Sequence, residues 1–83
     1  METDTVSEEE ALAWLAELFD EPLDNVTADT ARSDIANWDS LGVLTLMAEL
    51  DERFHVNEPE VEEMGSVREV IECLRKHNKL RGE

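Results

Sequence analysis

Apolar residues recur at helical spacing in three stretches of this chain, and nowhere does alternation persist long enough to suggest a sheet. Ala11, Leu15 and Leu18, flanked by Leu12 and Phe19, draw one stripe and predict a helix over 8–19. Ser7 and Glu10 read as a capping box at its start, and Glu8, Glu9 and Glu10 crowd the turn where the helix dipole favours carboxylates. Pro22 bounds it. Val43, Met47, Leu50 and Phe54 predict a second helix over 40–55, with Asp39 or Ser40 as its N-cap. Val67, Val70, Ile71 and Leu74 predict a last helix over 67–76, opened by a second capping pair, Ser66 and Glu69. Between these two, residues 59–64 suit a short helix with Pro59 at its permitted first position, ended by Gly65. The polar residues 77–83 are expected to fray.

The connection over 20–38 is long for a loop and rich in Asp, Asn and Thr. Leu23, Val26, Ile35 and Trp38 recur along it and are expected to pin it over the helices, with a short helical turn over 30–33. The second helix carries more apolar residues than one face can hold. Leu41, Leu44, Leu46 and Ala48 accompany the main stripe, so its first turns are either central in a bundle or presented to a partner or cargo. Its second half turns acidic with Glu49, Asp51 and Glu52. Gly42 costs up to about 1 kcal/mol relative to alanine in a helix interior. It is either tolerated near the helix end or lets another group approach the backbone closely.

Eighty-three residues suit a single domain, 1–83, with an ordered core expected over about 7–77. Twenty-two acidic against seven basic residues give a formal charge of −15. That excludes nucleic-acid binding, which needs clustered Lys and Arg, and favours proteins with basic patches as partners. Arg68, Arg75, Lys76, Lys79 and Arg81 gather near the end, where a helix C-terminus suits cations. Cys73 is the only cysteine, so no intrachain disulfide forms. The acidic N-terminus lacks the order of a signal peptide, and no apolar run reaches the length of a membrane span. A cytoplasmic monomer is expected, and the start at Met1 with no catalytic segment suggests a discrete protein. His55, Cys73 and His77 are too few for a zinc site, and the acidic runs lack the order of a calcium loop.

The chemistry concentrates at Trp38-Asp39-Ser40-Leu41, where the polar connection meets the apolar helix. Ser40 is expected in the first turn with its hydroxyl toward solvent, beside free backbone N–H groups and the positive end of the dipole. That setting suits an attached phosphate diester. No base or second nucleophile stands beside it, and it is not in G-x-S-x-G, so it reads as an attachment point and not as a catalyst. Trp14 and Trp38 are expected to be packing residues.

Asp39-Ser40-Leu41, followed by Leu50, Asp51, Glu52 and Phe54, then Pro59 and the Ser66-Val67 start of the last helix, resembles the acyl carrier protein family over roughly 7–77. The resemblance implies an all-α four-helix bundle with three main helices and one short one. It implies that Ser40 is esterified by 4′-phosphopantetheine, donated by coenzyme A through a phosphopantetheinyl transferase, with Asp39 and Leu41 flanking the site and Asp39 assisting near that enzyme's metal ion. The arm's thiol, not Cys73, would then hold an acyl or aminoacyl thioester for acyl-activating, acyl-transferring or condensing enzymes of fatty acid, polyketide or related biosynthesis. Val43, Met47, Phe54 and Ile71 would line a shelter for the cargo.

The chain departs from housekeeping fatty-acid carriers in several places. Ala36-Asn37-Trp38 precedes the motif, Gly42, Val43, Leu44 and Thr45 replace acidic residues after it, and Glu58 stands before Pro59. These departures suggest a specialised carrier, of polyketide or D-alanyl type, whose partners dock on Gly42, Val43, Leu44, Glu49 and Glu52. The competing reading is an acidic helical adaptor without a prosthetic group. Charge alone carries one expectation for either: self-repulsion weakens the fold at low ionic strength. Melting temperature is expected to rise as NaCl goes from about 10 mM to about 500 mM, and equal values would refute this.

Overall fold

Three α-helices, α1 (Glu8–Leu18), α2 (Ser40–Phe54) and α3 (Val67–Lys76), build the computed structural model, which describes residues 5–56 and 61–80. Single 3₁₀ turns stand between them at Leu23–Asn25, Arg32–Asp34 and Val61–Glu63. The short helix expected over 59–64 is therefore only the Val61–Glu63 turn among the described residues; Glu58 and Pro59 lie outside them. Arg32–Asp34 is the helical turn of the long connection, shifted slightly from its expected place.

Each helix begins for a different reason. At α1 the capping box is complete: Glu10 N–H donates to Ser7 Oγ at 3.1 Å, and Ser7 N–H donates to Glu10 Oε1 at 3.1 Å. At α3 the expected box does not close. The Ser66 side chain caps nothing, and Glu69 Oε1 instead accepts the N–H of Gly65 at 3.1 Å. A backbone bridge explains the difference. Val67 N–H donates to Thr30 O at 2.9 Å and Arg32 N–H to Gly65 O at 2.8 Å, so the long connection itself supplies partners at the start of α3.

All three helices end on a left-handed residue. Asp20, His55 and Asn78 take left-handed φ of 57°, 57° and 62°. Beyond each, an N–H reaches back to a carbonyl of the last turn: Glu21 to Ala16 at 2.8 Å, Val56 to Leu50 at 3.0 Å, and Lys79 to Leu74 at 2.7 Å. The Asp20 and Asn78 ends are Schellman closures, with Asp20 N–H also on Glu17 O and Asn78 N–H on Arg75 O, whereas His55 N–H bonds Asp51 O in the simpler left-handed cap. None of the three uses glycine, and all use residue types that tolerate the left-handed region best. Helix α1 thus stops at Asp20, before Pro22 can act.

The core joins the three helices and the long connection. Phe19, Leu15, Leu46, Leu50, Phe54, Val67, Val70 and Leu74 are fully enclosed. The α3 stripe lies inward as the spacing predicts. The inward face of α2 is rotated from the expected one: Gly42, Val43, Leu46, Leu50 and Phe54 are buried, and Met47 is half-buried. Trp14 joins the α1 stripe, packing edge-on against Phe54 at 5.1 Å between centroids. In the connection, Val26, Ile35 and Trp38 are buried as expected, whereas Leu23 stays 55% exposed. Residues 77–80 do not fray. Val6 N–H donates to Lys79 O at 2.9 Å, and Val6 and Leu80 are both buried, so the two ends of the described chain clasp and the packed core exceeds 7–77. Arg68 on α3 also pairs with Asp29 of the connection. No helix of the described residues is long and apolar enough to cross a membrane.

Candidate functional site

Ser40 is the first residue of α2, exposed, and its hydroxyl has no hydrogen-bond partner among the described residues. The residue before it sets that geometry. Asp39 is the N-cap, and its Oδ1 accepts from the N–H groups of both Leu41 and Gly42 at 3.1 Å. Its backbone carbonyl accepts from Val43 N–H at 2.8 Å. This corrects one expectation: the N–H groups of Leu41 and Gly42 are not free beside Ser40, because the Asp39 carboxylate already holds them. The carboxylate also places a negative charge on the residue next to Ser40.

Asp39 is held in turn by the connection before it. Trp38 is 3% exposed and stacks on Phe19, with centroids 5.0 Å apart and rings 19° from parallel. Asn37 Nδ2 donates to Phe19 O at 2.7 Å, satisfying a carbonyl at the end of α1. Arg32 Nε donates to Trp38 O at 3.1 Å. The connection approaches α2 so closely that a Cβ on Gly42 would lie 2.1 Å from Asn37 O and 3.2 Å from Phe19 Cε1. Gly42 is therefore neither a tolerated cost nor an opening for an arm or partner. The missing side chain is replaced by this chain's own backbone.

The residues expected to face partners separate accordingly. Gly42 and Val43 are buried, with Val43 only 4% exposed, because they point into the bundle. Glu49 is half-buried and accepts a hydrogen bond from Trp14 Nε1 at 3.2 Å, so it braces α2 against α1. Leu44 and Glu52 are exposed, and so is Leu41. Leu41 and Leu44, 72% and 60% exposed, make with exposed Ala48 an apolar ridge that starts at Ser40 and runs toward Asp51 and Glu52.

Of the expected cargo-lining residues, Val43, Phe54 and Ile71 belong to the packed core and Met47 packs against it. Surface clefts lie along α1 around Trp14 and Arg53 and around Ala16 and Leu23, and neither is lined by Val43, Met47, Phe54 or Ile71. Cys73 is half-buried; burial raises its thiol pKa, opposed in smaller part by Lys76. A thiol held protonated in this way is a poor nucleophile. His77 Nδ1 faces the Cys73 carbonyl oxygen at 2.9 Å.

Sequence reasoning missed the support beneath the site: Arg32 on the Trp38 carbonyl, Phe19 stacked on the Trp38 ring, and Asn37 on the Phe19 carbonyl. One signal was available, since Arg32 is the only Lys or Arg before Arg53. An exposed, unpartnered hydroxyl on a capped, braced helix start fits esterification by a bulky group, which needs access and no competing bond.

Alanine at Gly42 is expected to destabilise the fold by about 1–3 kcal/mol through overpacking against backbone that cannot yield. Alanine at Gly65, whose added Cβ would meet nothing nearer than Glu69 Oε2 at 3.8 Å, is expected to change stability far less. Urea denaturation of both variants checks this, and similar midpoints would refute it.

No family model matches the chain, and no solved structure does. An acyl carrier protein of Kineococcus radiotolerans is 35% identical over 72 residues, spanning 82% of this chain and 88% of that relative.

Proposed function

The chain belongs to the acyl carrier protein family, and on that premise we propose that it bears its cargo as a thioester on 4′-phosphopantetheine esterified to Ser40. As a member of that family it is a carrier and not an enzyme. The observation that supports Ser40 most is its hydroxyl: exposed, unpartnered, and standing on the first residue of α2. During loading Ser40 Oγ would gain a bond to the pantetheine-side phosphorus of coenzyme A, the P–O bond of its pyrophosphate would break with adenosine 3′,5′-bisphosphate leaving, and the hydroxyl proton would pass to the transferase. Once bound, the group supplies a terminal thiol on a long flexible arm, which holds an acyl or aminoacyl chain. Asp39 keeps the helix start closed while the transferase works, and the half-buried Cys73 offers no competing thiolate.

Partner enzymes that activate, transfer or condense acyl groups dock, in this reading, on the ridge of Leu41, Leu44 and Ala48, with Asp51 and Glu52 steering basic surfaces toward it. The apolar start of α2 favours a specialised carrier, of polyketide or D-alanyl type, over a housekeeping fatty-acid one. The unit works as a cytoplasmic monomer in brief encounters, with the Val61–Glu63 turn standing for the family's short third helix.

Intact mass after incubation of the apo protein with coenzyme A, Mg²⁺ and a promiscuous phosphopantetheinyl transferase tests the attachment. One phosphopantetheine is expected on the chain and none on Ser40→Ala. An unchanged mass for the unaltered chain would replace the carrier by an acidic adaptor. For the docking ridge, Leu44→Asp is expected to lower transferase kcat/KM by about tenfold or more, and Glu52→Lys by less. The reverse order, with both variants folded by circular dichroism, would move docking to the acidic end of α2.

A further inference from the structure

A phosphodiester on Ser40 adds negative charge to a chain already at −15, next to a carboxylate that has taken the nearest helix N–H groups. A nearby cation would offset that charge, and candidates are few. Arg32 is the only Lys or Arg in the first 52 residues. Arg53 lies at the far end of α2, about 20 Å along the axis at 1.5 Å per residue. Arg68 is paired with Asp29.

Arg32 differs from these in two respects. Its Nε donates to Trp38 O at 3.1 Å, at the carbonyl two residues before Ser40. It has no carboxylate within ion-pair distance among the described residues, in a protein dominated by carboxylates. Chain geometry bounds its distance. From Trp38 O to the Ser40 Cα the backbone spans at most about 7 Å, so with the hydrogen bond the guanidinium Nε stays within about 10 Å. A phosphorus on Ser40 Oγ adds about 4 Å, so the bound is about 14 Å, between one and two Debye lengths at 0.1 M salt and well inside one at 0.01 M. Its backbone N–H, bonded to Gly65 O at 2.8 Å, anchors the residue at the start of α3, so the charge sits on a fixed base.

We propose that Arg32 is the built-in counter-cation for the phosphodiester carried on Ser40. The inference rests on the carrier reading above. One bond of the guanidinium shapes the connection, and its remaining N–H donors and charge serve the prosthetic group once it is attached. A guanidinium suits the task because it stays charged at any working pH and presents several donors to phosphate oxygens.

The test compares apo and loaded protein by thermal melting, for the natural chain, Arg32→Gln and Arg32→Lys, in low salt and in about 1 M NaCl. Glutamine keeps a donor for Trp38 O and removes the charge; lysine keeps the charge. At low salt, loading is expected to lower the melting temperature of the glutamine variant by about 2–5 °C more than that of the natural chain. The lysine variant is expected to recover at least half of that gap, and 1 M NaCl to close it. A second readout is the Arg32 Nε–H resonance in ¹H–¹⁵N spectra, expected to shift on loading while that of Arg68 does not. An equal loading penalty in all three proteins at low salt, with a still Arg32 resonance, overturns the assignment and leaves the carrier reading intact. Failure of the natural chain to gain the phosphopantetheine mass overturns both.

Discussion

The contact on which this structure turns is the seating of the Asn37 backbone against α2 at Gly42. Only a residue without a side chain lets the connection come that near, since any Cβ would lie 2.1 Å from a carbonyl oxygen. From that one approach the rest follows. Asn37 can reach the exposed end of α1, Trp38 can lie flat on Phe19, and Asp39 is delivered to the first N–H groups of α2. Ser40 is then left at the surface with nothing to bond. A hydroxyl can be presented this rigidly only because the segment before it is held from α1, from α2 and, through Arg32 and Gly65, from the start of α3.

Charge shapes the molecule differently from packing. Among the described residues no polar or charged residue is buried, so the negative charge there spreads over a small surface and repels itself. The fold answers with local closures: a complete capping box, an aspartate N-cap, left-handed helix ends without glycine, and a clasp between Val6 and Leu80. Each is worth only about 1 kcal/mol, yet together they matter in a domain this small.

Against this acidic background the bare leucines beside Ser40 stand out. Two leucines more than half exposed, adjacent to the Ser40 hydroxyl, cost solubility unless something covers them for part of their working life. Under the proposed docking, a carrier whose encounters are short tolerates such a ridge, because it would be buried in each complex and released afterwards. The same helix meets the core with its other face and braces α1 through Glu49 and Trp14, so the exposed ridge and the packing face of α2 do not share residues.

Helical periodicity and capping chemistry were enough to locate α1, α2 and α3 within a residue or so, because these are local properties written in spacing and side-chain type. The serine at the start of α2 was legible for the same reason: its place depends on Asp39 and on an apolar run directly after it. What the chain could not disclose alone were the long-range choices. Whether Leu46 or Met47 faced inward, whether Glu49 met solvent or Trp14, and what Gly42 made room for were settled by a loop that returns from α1 across α2 to α3. Those outcomes depend on which surfaces meet, and pattern along a chain specifies faces, not their partners.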